Sequence, residues 1–197
     1  QRPVAERWLE ATGAPIAEGY GLSETSPILT LNKADTKEYT GSIGLAIPST
    51  DISLRDEEGN EVGFGEPGEL CAKGPQVMSR YWNREDVNNE FFTEDGFFRT
   101  GDMATVDEKV YFRIVDRKKD MILVSGFNVF PNEIEEVVAS CEGVLECACI
   151  GIPHELPGEA VKVFVVKMPG ADIDEKHISD YCRDKLTAYK IPKYVEF

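Results

Sequence analysis

The sequence predicts an α+β fold assembled from two differently built units. Three observations carry the prediction. Short apolar stretches bounded by glycines crowd residues 41–115, helical apolar spacing takes over after Pro131, and between them the chain turns abruptly from charged to apolar in VDRKKDMILVSGF, residues 115–127. There Asp116–Asp120 are all ionisable and Met121–Val124 all apolar. A run of exposed charge between differently built units reads as a linker.

The elements follow in order. Residues 3–12, PVAERWLEAT, place Val4, Trp8 and Leu9 on one face of a helix that Gly13 stops. A short strand at 15–18 leads into the turn-rich Gly19–Tyr20–Gly21. Residues 41–75 read as β-structure: the turn signal Glu58–Gly59–Asn60 separates two short strands, and GELCAKG is another, bracketed by glycines. Residues 76–90 read as a helix or helical turn with Tyr81–Trp82 packed as core. Residues 97–115 read as two strands around a turn near Asp107–Lys109. Beyond the charged run, Pro131 opens a helix whose Ile134, Val137, Val138 and Cys141 fall at i, i+3, i+4 and i+7. A strand at 145–152, a Pro/Gly loop at 153–158 and the strand VKVFVVK at 161–167 come next. Asp172 or Asp174 caps a last helix that turns Ile178, Tyr181, Cys182 and Leu186 inward. The first part is mostly β; the second is a small α+β unit.

The chain has 197 residues, 42% of them apolar, enough for a real core. A formal charge of −15 and a pI of about 4.6 repel phosphate backbones, so nucleic acid is not an expected partner. A small nucleotide needs only a local site, and Arg117–Lys119 is a local exception to the acidic balance. Five cysteines, at 71, 141, 147, 149 and 182, do not have zinc-knuckle spacing. In a strand Cys147 and Cys149 point the same way, and the five read as small buried hydrophobes of a reduced cytosolic protein. His154 and His177 lie far from any Cys cluster. No stretch reaches the ~20 apolar residues of a membrane helix, and no basic-then-apolar leader opens the chain. The expectation is a soluble, cytoplasmic protein, with peripheral contact at the inner face of the membrane left open.

Two strings could carry chemistry. In EGYGLSETSP, residues 18–27, Gly19 and Gly21 allow a tight turn and close approach to a ligand. Ser23 and Glu24 set a hydroxyl beside a carboxylate, a natural pair for phosphate and an oxygen-liganded divalent cation. On composition alone, a strand-to-helix turn with Ser23 as N-cap ranks first. In FRTGDMA, residues 98–104, Asp102 could accept two hydrogen bonds from a ribose diol or satisfy its own turn. GELCAKGPQVMSRYWN looks architectural.

Taken together, EGYGLSETSP, GSIG, GELCAKGPQVM, DGFFRTGDMA and VDRKKDMILVSGFNVFPNEIEEV occur in an order that closely resembles the adenylate-forming superfamily of acyl-CoA synthetases. DGFFRTGDMATVDEKVYFRIVDRKK is similar to the signature of fatty acyl-CoA synthetases, and the likeness to bacterial long-chain fatty-acid–CoA ligases spans essentially the whole chain. For the fold, the resemblance implies that residues 1–118 are a β-rich, barrel-like end of a large AMP-binding domain. Residues 119–197 would be the small mobile C-terminal domain.

The same resemblance implies the chemistry: ATP with Mg²⁺ activates a carboxylate to an acyl-adenylate, and coenzyme A displaces AMP. It places Gly19, Tyr20 and Gly21 at the adenine and AMP pocket, Ser23 on the phosphate, Glu24 on Mg²⁺ and Asp102 on the ribose. Arg117 reaches the ribose or phosphate, and Lys119 is the hinge. Ser125, Gly126 and Phe127 form the loop used for thioester formation, where Gly126 leaves room for the pantetheine arm. Departures from the family pattern are Ser23 for the commoner Thr, Arg80 and Asp116 for glycine, and Leu123 for lysine. The family's phosphate loop and terminal catalytic lysine are not found, and Lys190 and Lys193 are not in that lysine's context. The expectation is therefore a fragment inactive on its own, with exposed apolar surface that leaves a homodimer open. A ligase for aryl or medium-chain acids, and a non-catalytic nucleotide-binding or interaction module, stay as alternatives.

Overall fold

Glycines and tight turns punctuate the first half of the chain, and the strands form between them. The computed structural model describes residues 2–154 and 158–197, so residues 155–157 of the expected Pro/Gly loop lie outside the described residues. The chain divides into two compact units, Gln1–Val115 and Asp116–Phe197.

The first unit opens with α1 (Arg2–Thr12). Val4, Trp8 and Leu9 are exposed and Ala5 is the buried position, so the expected apolar face is not the buried one. The short strand expected at 15–18 forms instead on the glycines, as β1 (Gly19–Gly21). It pairs antiparallel with β2 (Ile28–Leu31), which pairs in turn with β3 (Leu45–Ala46). A second sheet runs β4 (Asp51–Arg55), β5 (Gly68–Lys73), β6 (Phe98–Val106) and β7 (Phe112–Arg117). The Glu58–Gly59–Asn60 turn closes through the Asp56 N–H to the Asn60 carbonyl, 3.0 Å. The helix expected somewhere in 76–90 is α2 (Glu85–Phe91). Leu29, Leu54, Leu70, Ala72, Ala104 and Phe112 make the core.

Among the described residues the sheets are open, so the barrel-like expectation is corrected: no strand closes either sheet of this unit on itself. A run of short strands specifies pairing but not closure, which needs matched strand number, tilt and stagger. Tyr81–Trp82 are likewise not core. Tyr81 is half-buried and Trp82 is 82% exposed.

The second unit starts with the hairpin β8 (Ile122–Val124) and β9 (Phe127–Val129). It continues through α3 (Pro131–Ala139), β10 (Val144–Pro153), β11 (Glu159–Lys167), α4 (Glu175–Arg183) and β12 (Tyr194–Glu196). β10 and β11 are antiparallel, and β12 joins β11 in parallel. Helical spacing buries Ile134, Val138 and Cys141 of α3 and its end, and Ile178 and Cys182 of α4. Of the two candidate caps Asp174 serves: its side chain accepts from the His177 N–H at 2.7 Å. No helix among the described residues is long and apolar enough to cross a membrane.

All five cysteines are free. Burial pushes the thiols of Cys147 and Cys182 up to about 11 and that of Cys149 up to about 12. An unfolded thiol titrates near ~8.5, so above that pH the native state holds the protons more tightly. The resulting stability is fully present below the unfolded value and is lost as pH climbs through 11–12. The thiolate is the reactive form. At pH 8 the native protein is therefore expected to alkylate far more slowly at these three thiols than the urea-unfolded chain, by mass spectrometry of iodoacetamide adducts.

Candidate functional site

The EGYGLSETSP segment is shaped by close backbone approach and one buried hydroxyl. A Cβ on Gly21 would stand 1.8 Å from the Pro27 carbonyl oxygen, so no residue but glycine fits where β1 meets the return strand. Thr25 is fully buried; its hydroxyl accepts from the Leu22 N–H at 2.9 Å and reaches the Pro27 carbonyl at 2.6 Å. Thr25, not Ser23, thus satisfies the backbone of the short 3-10 turn Ser23–Thr25, and Leu22 occupies the N-cap position. The Ser23 hydroxyl is left exposed, with the half-buried Glu24 beside it.

Two tyrosines hold the two carboxylates. The Tyr20 hydroxyl donates to Asp102 Oδ2 at 2.6 Å across 82 residues. Asp102 is buried and sits where the β5–β6 register slips: Glu69 faces Met103, but Cys71 faces Arg99. The extra β6 residues form a bulge, which re-aims a side chain. The Thr100 hydroxyl accepts from the Asp102 N–H at 3.1 Å and donates to the Leu70 carbonyl at 2.8 Å, fixing the bulge. In the β6–β7 turn it is Asp107 whose carboxylate accepts from the Lys109 and Tyr111 N–H groups.

Glu24 Oε1 accepts from the Tyr81 hydroxyl at 2.8 Å. Asn88 of α2 clamps the Tyr81 backbone, accepting from its N–H at 2.8 Å and donating to its carbonyl at 3.1 Å. The Tyr81 ring meets Phe91 edge-on at 5.4 Å. Burial, and then the Glu24 acceptor, push the Tyr81 phenol up to about 12, so it stays a donor at any physiological pH. Glu24's other oxygen accepts no hydrogen bond among the described residues. A half-buried carboxylate oxygen of this kind suits a hard divalent cation. The two oxygens of Asp102 suit a diol.

The remaining predicted residues belong to the second unit. Arg117 and Lys119 are exposed, with Lys119 in the 3-10 turn Lys118–Asp120. Ser125 (φ 51°) and Gly126 (φ 86°) form the two-residue turn between β8 and β9, both left-handed as a type I′ hairpin requires. A Cβ on Gly126 would meet nothing within 4 Å, so the turn opens onto free space. Phe127 stacks on Tyr189 with ring centroids 4.6 Å apart and planes 16° off parallel.

Sequence reasoning missed Tyr81, Thr25 and Asp116. Tyr81 was masked by its neighbour Trp82, which made the pair look like core. Asp116 carried a legible signal. α3 begins at Phe130–Pro131, where the N-cap side chain makes no hydrogen bond, so its first N–H groups need an acceptor from elsewhere. Asp116, buried, supplies one oxygen to the Asn132 N–H at 2.8 Å and the other to the Arg117 N–H at 2.7 Å.

Two family models of AMP-binding enzymes match the chain. The AMP-binding enzyme family matches residues 1–82, and the AMP-binding enzyme C-terminal domain matches residues 133–197. Among its relatives, the long-chain-fatty-acid–CoA ligase of Yersinia pestis is 58% identical over 197 residues, covering 100% of this chain and 35% of that protein. ATP-bound MatB from Rhodopseudomonas palustris superposes with a TM-score of 0.94 at 38% identity, over 100% of this chain and 39% of that one. The O-succinylbenzoate coenzyme A synthetase MenE from Bacillus subtilis, in complex with ATP and magnesium ion, gives 0.85 at 30%, over 98% and 40%. The chain thus spans 35% of the length of the curated ligase.

Proposed function

We propose that the chain is the C-terminal portion of a long-chain fatty-acid–CoA ligase. A fatty-acid carboxylate attacks the α-phosphate of ATP, giving acyl-adenylate and pyrophosphate. The thiol of coenzyme A then adds to the acyl carbon, and AMP leaves. A carboxylate is a poor electrophile; the adenylate turns its oxygen into a good leaving group. The observation that carries this reading is the pairing of Tyr20 with Asp102 beside a loop that presents Ser23 and Glu24. It is supported by 58% identity to a ligase of that name along the whole chain.

In this reading Asp102 accepts the ribose hydroxyls, and Tyr20, anchored to it, borders the adenine together with Gly19 and Gly21. Ser23 donates to a phosphate oxygen. Glu24 would hold Mg²⁺, which when bound supplies neutralising charge to the phosphates. Arg117 serves the ribose or phosphate, and Lys119 is the pivot between the units. Ser125, Gly126 and Phe127 border the pantetheine path, and the free space beside Gly126 supports that assignment. Free, buried thiols support a reducing, cytoplasmic setting.

The test is acyl-chain profiling of the full-length protein with ATP and coenzyme A, scoring thioester and AMP. The expected result is the highest kcat/KM on long-chain acids. A maximum on aryl or medium-chain acids replaces the substrate class, and no turnover on any acid rejects the reading. Residues 1–197 alone are expected to make no thioester from oleate; appreciable formation counts against the fragment reading.

A further inference from the structure

We infer that Tyr189 is a positioning residue that holds the Ser125–Gly126–Phe127 hairpin tip in place for the thioester-forming step. The inference deepens the proposed function and rests on it for the step concerned.

Among the described residues little holds the hairpin's tip beyond the close approach of Gly158, where a Cβ would stand 3.4 Å from the Ser125 nitrogen. β8 and β9 contribute only Ile122–Val124 and Phe127–Val129, and a two-stranded ribbon alone is marginal in water. Its turn also keeps Ser125, a non-glycine residue, at φ 51°, a conformation that persists only where surroundings impose it. β8 has an outside anchor: Glu159 Oε2 of β11 accepts from the Leu123 N–H at 2.9 Å. The first residue after the turn, Phe127, is 54% exposed and finds its support in the Tyr189 ring.

Tyr189 is itself fixed from another direction. It sits in the 3-10 turn Ala188–Lys190, between helix α4 and strand β12. The next side chain, Lys190, donates to both oxygens of Glu133, at 2.7 and 2.6 Å. Glu133 lies in the first turn of α3, where a carboxylate is also favoured by the helix dipole. α3, Glu133, Lys190, Tyr189 and Phe127 therefore form one unbroken run of contacts. It ends at the residue that flanks Gly126. A parallel ring stack holds Phe127 in position and orientation but asks nothing of the phenol hydroxyl, for which no hydrogen bond is made among the described residues.

The experiment uses the full-length protein and its Tyr189→Ala and Tyr189→Phe variants. Three readouts are taken: ATP–pyrophosphate exchange, thioester formation from supplied acyl-adenylate, and hydrogen exchange at the amides of 125–127. Tyr189→Phe is expected to match the wild type in all three. Tyr189→Ala is expected to keep pyrophosphate exchange within about twofold. It should lose thioester formation by roughly tenfold, the scale one aromatic contact supports, with faster exchange at 125–127. The inference is overturned if Tyr189→Ala leaves thioester formation and hairpin exchange unchanged. It is equally overturned if both half-reactions fall together, as a merely structural role would make them. A wild type that forms neither adenylate nor thioester rejects the functional reading instead. Hairpin exchange needs no substrate and still decides whether Tyr189 holds the tip.

Discussion

Glu24→Gln in the full-length protein is expected to slow adenylate formation by about 10²–10³-fold while leaving the fold intact, read as ATP–pyrophosphate exchange beside circular dichroism. Glutamine has the same shape, and its carbonyl can still accept from the Tyr81 hydroxyl that Glu24 now holds at 2.8 Å. What is lost is the negative charge and the second carboxylate oxygen. If that oxygen holds Mg²⁺, the phosphates lose a neutralising partner when charge moves onto pyrophosphate, and several kcal/mol of stabilisation of that state go with it. Tyr81→Phe probes the same group one shell out. It removes the donor that orients Glu24 but keeps the ring against Phe91, and the expected loss is smaller, about 10–100-fold. The ordering is the test. Exchange unaffected by Glu24→Gln, or Tyr81→Phe the more damaging of the two, would remove Glu24 from the metal.

What the sequence made legible was local. Gly68 and Lys73 bound β5 as GELCAKG suggested, and α3 begins at Pro131 with Ile134 and Val138 inward, because punctuation and apolar period act over a few residues. The two site strings were also legible as strings. Their pairings were not. Nothing in EGYGLSETSP names Asp102 as the partner of Tyr20, because that bond depends on a two-residue register slip between β5 and β6. Nor does SRYWN separate Tyr81 from Trp82. Both are large aromatics, and only tertiary placement turns one hydroxyl to Glu24 and leaves the other ring in solvent. The failed strand at 15–18 is of the same kind. Glycines disfavour a strand by propensity, yet β1 forms on them because the backbone must pass too close to Pro27 for any side chain.

Asp116→Ala is expected to destabilise the second unit by about 2–4 kcal/mol, since hydrogen bonds to a charged group are worth ~1.5–3 kcal/mol each. The carboxylate is 5% exposed, and its two oxygens accept from two backbone N–H groups, those of Arg117 and Asn132. The Asn132 N–H is one of the orphan donors at the start of α3, and a negative charge there also meets the positive end of the helix dipole. Asp116→Asn separates these contributions. Its single carbonyl oxygen can keep one of the two bonds without the charge, so it should lie between wild type and alanine. Asp116→Gly should behave as alanine or worse, because it also loosens the unfolded chain. Thermal or urea unfolding, with hydrogen exchange resolved to residues 116–139, distinguishes the outcomes. Protection lost first at Asn132 and the first turn of α3 is the expected signature. Equal stability of Asp116→Ala and the wild type would mean that water replaces both bonds at no cost, and that the start of α3 is held by something other than this aspartate.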